Sequence, residues 1–340
     1  MASLRRTLTA VSPAVLFHKH TVCRAIQQQA DMPARVHCAT RYLMNSSNRR
    51  LSYSTQVNLS KSLFRRTLTT QAQAEGAPLV LRRDEGGIRW LKFNNERKRN
   101  ALSLAMLDCL KQELMEGGED EKVRVLILTS EGPAFSSGHD LSELTSATGH
   151  EYHKKVFRRC TEVMTLVQDI PVPVMAEVRG LATAAGCQLV ASCDVAIAAE
   201  TARFATPGVN IGLFCSTPGV ALARAVPRKV AMEMLLTGFP ISASEAFRAG
   251  LVSKVVPEDK VEEETLKIAR KICDTSRSVT AIGKACFYNQ IMWDRNTAYR
   301  HAEDVMVSNL QIKDGQEGIG AFLQKRHPVW THNEDPVDKE

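Results

Sequence analysis

The segment GLATAAGCQLVASCD, Gly180 to Asp194, joins two features that bear on chemistry. Its run of Gly and Ala permits a tight turn and close approach to the backbone, and AAGCQLVAS then reads as a short helix. A turn feeding a helix N-terminus presents unpaired main-chain N–H groups at the positive end of the helix dipole. That arrangement suits an oxygen acquiring negative charge. Gln188, the first long polar residue after the turn, is an amide, able to orient a water but not to exchange a proton near neutral pH. The segment reads as a place to hold charge, with the proton-transferring group still to be found.

The elements around it follow from pattern. LVLRR and GIRWLKF flank the turn signal DEGG and predict a strand pair. Ser103 is placed to cap a helix with its apolar stripe at Leu104, Leu107, Leu110 and Leu114. VRVLIL, Val123 to Leu128, is a continuous apolar run of the kind buried on both faces of an α/β sheet. A loop, TSEGPAFSSGHDL, precedes a helix expected over 150–169 that buries Val156, Cys160, Val163 and Val167. VPVMAEV and DVAIAAE are strands on either side of the short helix. Helices are expected to begin near Thr217, Arg228 and Ser242, and GLVSKVVP supplies one more strand. After Glu258 the tail reads as helical throughout, ending in DGQEGIGAFLQKRHPVW.

Charge divides the 340-residue chain unevenly. Residues 1–74 carry eleven Lys/Arg against the single acid Asp31, so that segment is +10 and the remainder, with 33 basic and 36 acidic residues, is −3. An Arg- and Ser-rich, acid-poor leader has the composition of a mitochondrial transit peptide, expected over 1–66 with its end between 60 and 75. A disordered basic tail that binds nucleic acid or lipid is the bland alternative. Within the leader, AVLFH is too short to span a membrane, and no other run reaches the roughly 20 apolar residues a span needs. The nine cysteines form no CxxC pair and no Cys/His metal spacing, so reduced thiols are expected and no metal site is.

Six blocks carry a resemblance: NNERKRNALS, GPAFSSGHDL, the Gly180 segment, FATPGVNIGLF, LTGFPISASEAFRAGLVSKVVP and DGQEGIGAFLQKRHPVW. In order and spacing, over about residues 79–330, they are similar to the crotonase (enoyl-CoA hydratase/isomerase) superfamily. The resemblance implies an α/β fold, a spiral of ββα turns over 75–258, followed by a C-terminal helical trimerisation region over 259–340. It also implies an acyl-CoA thioester as ligand, with coenzyme A part of that ligand and no separate cofactor. The partners implied are further copies of the chain, as a homotrimer or dimer of trimers. The backbone N–H groups of His139 and Ala185 align with the oxyanion-hole donors, each worth about 3–4 kcal/mol in comparable sites.

The same alignment exposes a gap. Hydratases of the family use two glutamates, and these positions hold Gln188 and Gly208; the acid that isomerising members carry slightly later aligns with Ser216. A positioned acid or base contributes about 100- to 10,000-fold, so efficient enoyl-CoA hydration is not expected. The side chain of His139 is a candidate for proton transfer, and Cys215 and Ser216 are candidate nucleophiles without an identifiable base. Asp140 reads as a helix cap, Glu143 as its capping-box partner, Glu177 as structural and Cys187 as core. The resemblance places Lys98, Arg99, Ser137, His139 and Lys325 among the substrate-binding residues, Lys98 and Arg99 towards the adenosine end.

Three functions compete. The first is an acyl-CoA binder of mitochondrial fatty-acid metabolism that has lost its acids. The second is an acyl-CoA hydrolase, decarboxylase, isomerase or weak hydratase with another base. The third, RNA binding, is disfavoured because the positive excess sits in the leader and the body is slightly acidic. A matrix location follows from the leader reading.

Overall fold

The structure, a computed structural model, describes residues 77–337; the expected leader, with Cys23 and Cys38, lies outside the described residues. β1 (Val80–Glu85) and β2 (Ile88–Phe93) form the expected antiparallel pair. Ser103 accepts a 3.2 Å hydrogen bond from the Met106 N–H and caps α1 (Leu104–Glu119), whose buried stripe includes the four leucines. β3 (Val125–Ser130) follows, buried along its whole length. It starts later than the apolar run because the Val123 N–H closes a turn onto the Asp120 carbonyl and the Arg124 N–H reaches the Gly87 carbonyl.

The chain then repeats one unit. β4 (Ala134–Ser136) and α2 (His150–Asp169) complete the turn begun by β3. β5 (Val174–Val178), β6 (Leu181–Thr183) and α3 (Ala185–Ser192) form the next. β7 (Val195–Ala199) and β8 (Arg203–Ala205) begin another. In each repeat the longer strand joins one sheet and the three-residue strand joins a second. The first sheet has the order β1-β2-β3-β5-β7-β10 and the second β4-β6-β8-β9. β2, β3, β5, β7 and β10 run parallel to one another, the arrangement expected where strands such as β3 have a continuous apolar sequence.

The second sheet corrects the sequence reading. Ala134–Ser136 lies inside the segment read as a loop, yet it pairs in parallel with β6. A strand of three residues is too short to show alternation, and its partner is distant in sequence, so no local pattern announces it.

α4 (Ser216–Ala225), α5 (Arg228–Thr237), the two-residue β9 (Ile241–Ser242), α6 (Ala243–Ala249) and β10 (Lys254–Val256) match the expected order. Ser242 and Glu245 form a reciprocal capping box at α6. α7 (Val261–Cys273) packs on β2, β3, β5, β7 and β10 and so covers the large sheet. α8 (Arg277–Gln290), α9 (Arg295–Asn309) and α10 (Lys313–Leu323) complete the helical region. The last helix stops earlier than expected. Beyond it, Arg326 pairs with Glu317 at 2.6 Å and the Trp330 Nε1–H donates to the Asp274 carbonyl at 2.9 Å, while Pro328 has no N–H to continue a helix.

A buried polar cluster fastens α8 to the sheet layers. The Lys284 ammonium donates to the carbonyls of Val167 and Val172 and to Asp194 Oδ2, at 2.8, 2.9 and 2.8 Å. The Tyr288 hydroxyl donates to Asp194 Oδ1 at 2.8 Å. Burial lowers the pKa of Lys284, with the Asp194 charge pulling the other way. Removing one charge strands the other in the interior, so Lys284→Met is expected to cost about 3–5 kcal/mol in denaturant unfolding. The double variant Lys284→Met/Asp194→Asn should recover part of that loss, which a cycle of unfolding midpoints would measure.

Candidate functional site

The site is built where two backbone segments touch. On one side the Ser136 hydroxyl donates to the Asn100 carbonyl at 2.8 Å and accepts from the Gly138 N–H at 3.2 Å. The Ser137 N–H donates to the Arg99 carbonyl at 3.0 Å, and the Leu102 N–H to the Gly138 carbonyl at 2.7 Å. These bonds fix residues 136–139 against residues 99–102. On the other side stands the start of α3. A Cβ at Gly138 would lie 2.8 Å from the Ala184 Cβ and 3.2 Å from the Ala185 nitrogen, and one at Gly186 would lie 2.5 Å from the Ser136 carbonyl oxygen. Only glycine permits this approach.

Ala184, between β6 and α3, has φ 49° and ψ −118°, a conformation glycine adopts freely and alanine does not. Its N–H donates to the Ala205 carbonyl at 2.9 Å, which holds the turn to the end of β8. Ala185 is the first residue of α3, so its N–H has no acceptor within the helix.

A cavity of about 530 Å³ opens beside this contact. Among the expected site residues Ser137, His139, Ala185, Gly208 and Ser216 line it, together with Leu141, Leu144, Phe157, Ile211, Leu213 and Phe214. No Asp, Glu, Lys or Arg is on its wall. Gln188, Lys98, Arg99 and Lys325 are not on the wall either. The apolar half of the wall was not anticipated as site; the signal available was Ile211, Leu213 and Phe214, three large apolar residues in a glycine-containing loop.

The titratable groups facing the cavity are neutral near pH 7. Burial holds the His139 imidazole below its ordinary range, partly opposed by its Nδ1 hydrogen bond to the Leu102 carbonyl at 3.3 Å. Its ring meets the Phe157 ring edge-on, centroids 5.1 Å apart, and Nε2 is buried without a partner. Burial pushes the Cys215 thiol up, so a nucleophilic thiolate is disfavoured. The Ser216 hydroxyl donates to the Phe214 carbonyl at 3.4 Å. Cys187 is buried in the core as expected, its thiol pushed up to about 12. All seven cysteines of the described residues are free.

The two positions expected from the sequence to match family glutamates, Gln188 and Gly208, differ in character. Gln188 is buried, 5% exposed, and its Oε1 has no partner. Gly208 stands on the wall, but a Cβ there would lie 2.5 Å from the Leu213 carbonyl oxygen and 2.8 Å from the Cys215 sulfur. The loop after Gly208 fills the space a side chain would need.

Among the remaining charged groups, Asp140 caps a short 3₁₀ turn (Leu141–Leu144) and accepts from the Ser142 N–H at 3.1 Å, as expected. Glu143 does not complete a capping box there. Its Oε2 instead accepts from the Leu104 N–H at 2.8 Å and its Oε1 from the Tyr152 hydroxyl at 3.2 Å, so it serves the first turn of α1. Lys98 is engaged with Asp140 at 2.6 Å, which holds the Asp140 carboxyl below its ordinary value. Arg99 has a left-handed backbone, φ 52°. Lys325, expected on the last helix, lies just past its end at φ 54° and is exposed. Glu177 is buried, accepts from the Thr129 hydroxyl at 3.0 Å and pairs with Arg179, a structural arrangement.

Comparison with known proteins places this geometry. The profile of the family described as enoyl-CoA hydratase/isomerase matches residues 83–333. A rat protein named enoyl-CoA hydratase domain-containing protein 3, mitochondrial, is 61% identical over 254 residues, covering 75% of this chain and 85% of the relative. The crystal structure of human enoyl Coenzyme A hydratase domain-containing protein 3 aligns with a TM-score of 0.73 at 58% identity, over 74% of this chain and 100% of that one. That of an enoyl-CoA hydratase from Mycobacterium smegmatis aligns with a TM-score of 0.73 at 48% identity, over 74% and 99%. No helix among the described residues is long and apolar enough to cross a membrane.

Two outcomes follow from the geometry. Ala184→Gly removes the unfavourable backbone conformation and should raise stability by about 1 kcal/mol, read as a higher melting temperature. The buried, neutral His139 should make stability fall on acidification from about pH 6.5, the ordinary imidazole value, because the unfolded chain takes up a proton the folded protein refuses. Above that pH the contribution is flat. His139→Phe should flatten the decline in that window, measured as the wild-type-minus-variant difference in unfolding free energy between pH 7 and pH 5.

Proposed function

The chain belongs to the enoyl-CoA hydratase/isomerase family and has its crotonase fold; on that premise we propose that it binds an acyl-CoA thioester in the cavity beside Ala185 without efficiently hydrating enoyl-CoA. In this reading the thioester oxygen sits between the N–H groups of His139 and Ala185, and the acyl chain lies along Leu141, Leu144, Phe157 and Phe214. The observation that carries it is the wall itself, apolar and free of carboxylates, with neutral His139 and Cys215 as its titratable groups.

Donors aimed at a developing oxyanion are worth about 2.7–4 kcal/mol each in a dry site. Hydration needs in addition a group that takes a proton from water and one that returns it. Gln188 cannot supply either, and the crowding at Gly208 by the Leu213 carbonyl and the Cys215 sulfur leaves no space for a glutamate. Losing such groups costs orders of magnitude in rate, about 100- to 10,000-fold for each alone. Thioester hydrolysis through Cys215 or Ser216 would need a base in contact with the nucleophile, and the imidazole on the wall, His139, has no hydrogen bond to either.

The phosphates of coenzyme A require a basic approach, and Lys98 with Arg99 stands beside the loop that carries Ser137. Lys325 would contribute from a neighbouring copy of the chain. A homotrimer, alone or paired, accounts for apolar side chains left exposed on the C-terminal helices, among them Phe287, Met306, Val307, Phe322 and Leu323. The basic leader and the relatives named mitochondrial favour a role in fatty-acid metabolism in the matrix.

Calorimetry with a panel of acyl-CoA thioesters should show binding, and mass spectrometry of the same mixtures should show no multiple turnover. Ala185→Pro removes one N–H donor and should weaken binding by about tenfold. Rapid hydration of crotonyl-CoA by the purified protein would refute the proposal.

A further inference from the structure

We infer that the His139 side chain selects among acyl groups, its Nε2 accepting a hydrogen bond from a hydroxyl carried by the bound chain, so that hydroxyacyl thioesters are preferred to saturated ones. The inference rests on the acyl-CoA reading of the cavity.

The tautomer follows from one contact. The Leu102 carbonyl can only accept, so the hydrogen bond at 3.3 Å places the proton on Nδ1 and leaves a bare lone pair on Nε2. Among the described residues, that Nε2 is the one buried, unpartnered side-chain polar atom that belongs to the cavity wall. Burial favours the neutral ring, which keeps the lone pair available.

A buried acceptor without a donor is costly, and the protein offers none here. Solvent is a poor remedy, since a stable buried water needs about two to four polar partners and the ring that packs on the imidazole, Phe157, is apolar. A hydroxyl tethered to a bound chain needs only the one partner, because the rest of the chain holds it in place. Nε2 is buried, so a ligand reaches it only when a neighbouring side chain moves. The Phe157 ring packs on the imidazole with centroids 5.1 Å apart, is 38% exposed and lines the same cavity, so an entering chain can displace it towards solvent.

The test compares 3-hydroxyoctanoyl-CoA with octanoyl-CoA by calorimetry on the wild type and on His139→Phe, which keeps an aromatic ring and removes the lone pair. The wild type should bind the hydroxyacyl ligand about tenfold more tightly, and His139→Phe should reduce that preference to about twofold or less. The change is read as the ratio of the two affinities within each protein, so a loss common to both ligands leaves it untouched. Equal affinities in the wild type, or a preference that survives in His139→Phe, would overturn the inference while leaving the acyl-CoA reading intact. Failure of both ligands to bind would refute that reading itself. If His139→Phe does not fold, nitrogen NMR of wild-type His139 decides. The signal of the unprotonated ring nitrogen should move on adding the hydroxyacyl ligand and not on adding octanoyl-CoA, and identical responses would overturn the assignment.

Discussion

The candidate site depends on one backbone-to-backbone approach, the start of α3 pressed against the loop that follows β4. Gly138 and Gly186 are the residues that permit it, because a single methyl at either position would collide with the opposite strand of chain. The second sheet exists to hold the two segments in place: β4 and β6 pair directly, and β8 anchors the turn through the Ala205 carbonyl. Ala184 bears the strain of the arrangement in a left-handed conformation. Backbone donors held this way need no reorganisation when charge develops near them, which is why a rigid scaffold matters more here than any one side chain.

Around that fixed contact the cavity is unusually poor in charge. Its wall offers hydroxyls, one amide and one neutral imidazole, framed by Leu, Ile and Phe. Low polarity strengthens every hydrogen bond made inside it and penalises every polar atom left unpaired. Under the proposed function these two effects act together: the thioester oxygen gains from the donors, while the missing carboxylates leave the bound chain without a proton-transfer partner. At Gly208 the Leu213–Cys215 segment occupies the space a side chain would need.

The C-terminal helices are tied to this core by charged groups that would be expensive if unpaired. Lys284 reaches under the sheet layers to Asp194 and two main-chain carbonyls, and Arg277 donates to the Gly118 and Val123 carbonyls beside the end of α1. Four of these bonds satisfy main-chain carbonyls, those of Val167, Val172, Gly118 and Val123. The outer faces of α8, α9 and α10 keep large apolar residues exposed.

The amino-acid sequence alone determined the long elements and their order. Continuous apolar runs marked β3 and β5, and 3.6-residue periodicity with the Ser103 and Ser242 caps marked α1 and α6. Those signals are local, each decided by which face of a short segment meets water. The linear order of motifs also pointed to Ser137, His139, Ala185, Gly208 and Ser216, and the fold gathers these around one cavity. It did not reveal the three-residue strands of the second sheet, the end of the last helix before Lys325, or Glu143 capping a helix far away in sequence. Nor did it show that His139 hides a bare nitrogen beside Phe157 or that Gly208 has no room for a side chain. Tertiary structure decided these because each depends on the distance between atoms brought together only when separate repeats pack, and such distances leave no trace in the spacing of residues along the chain.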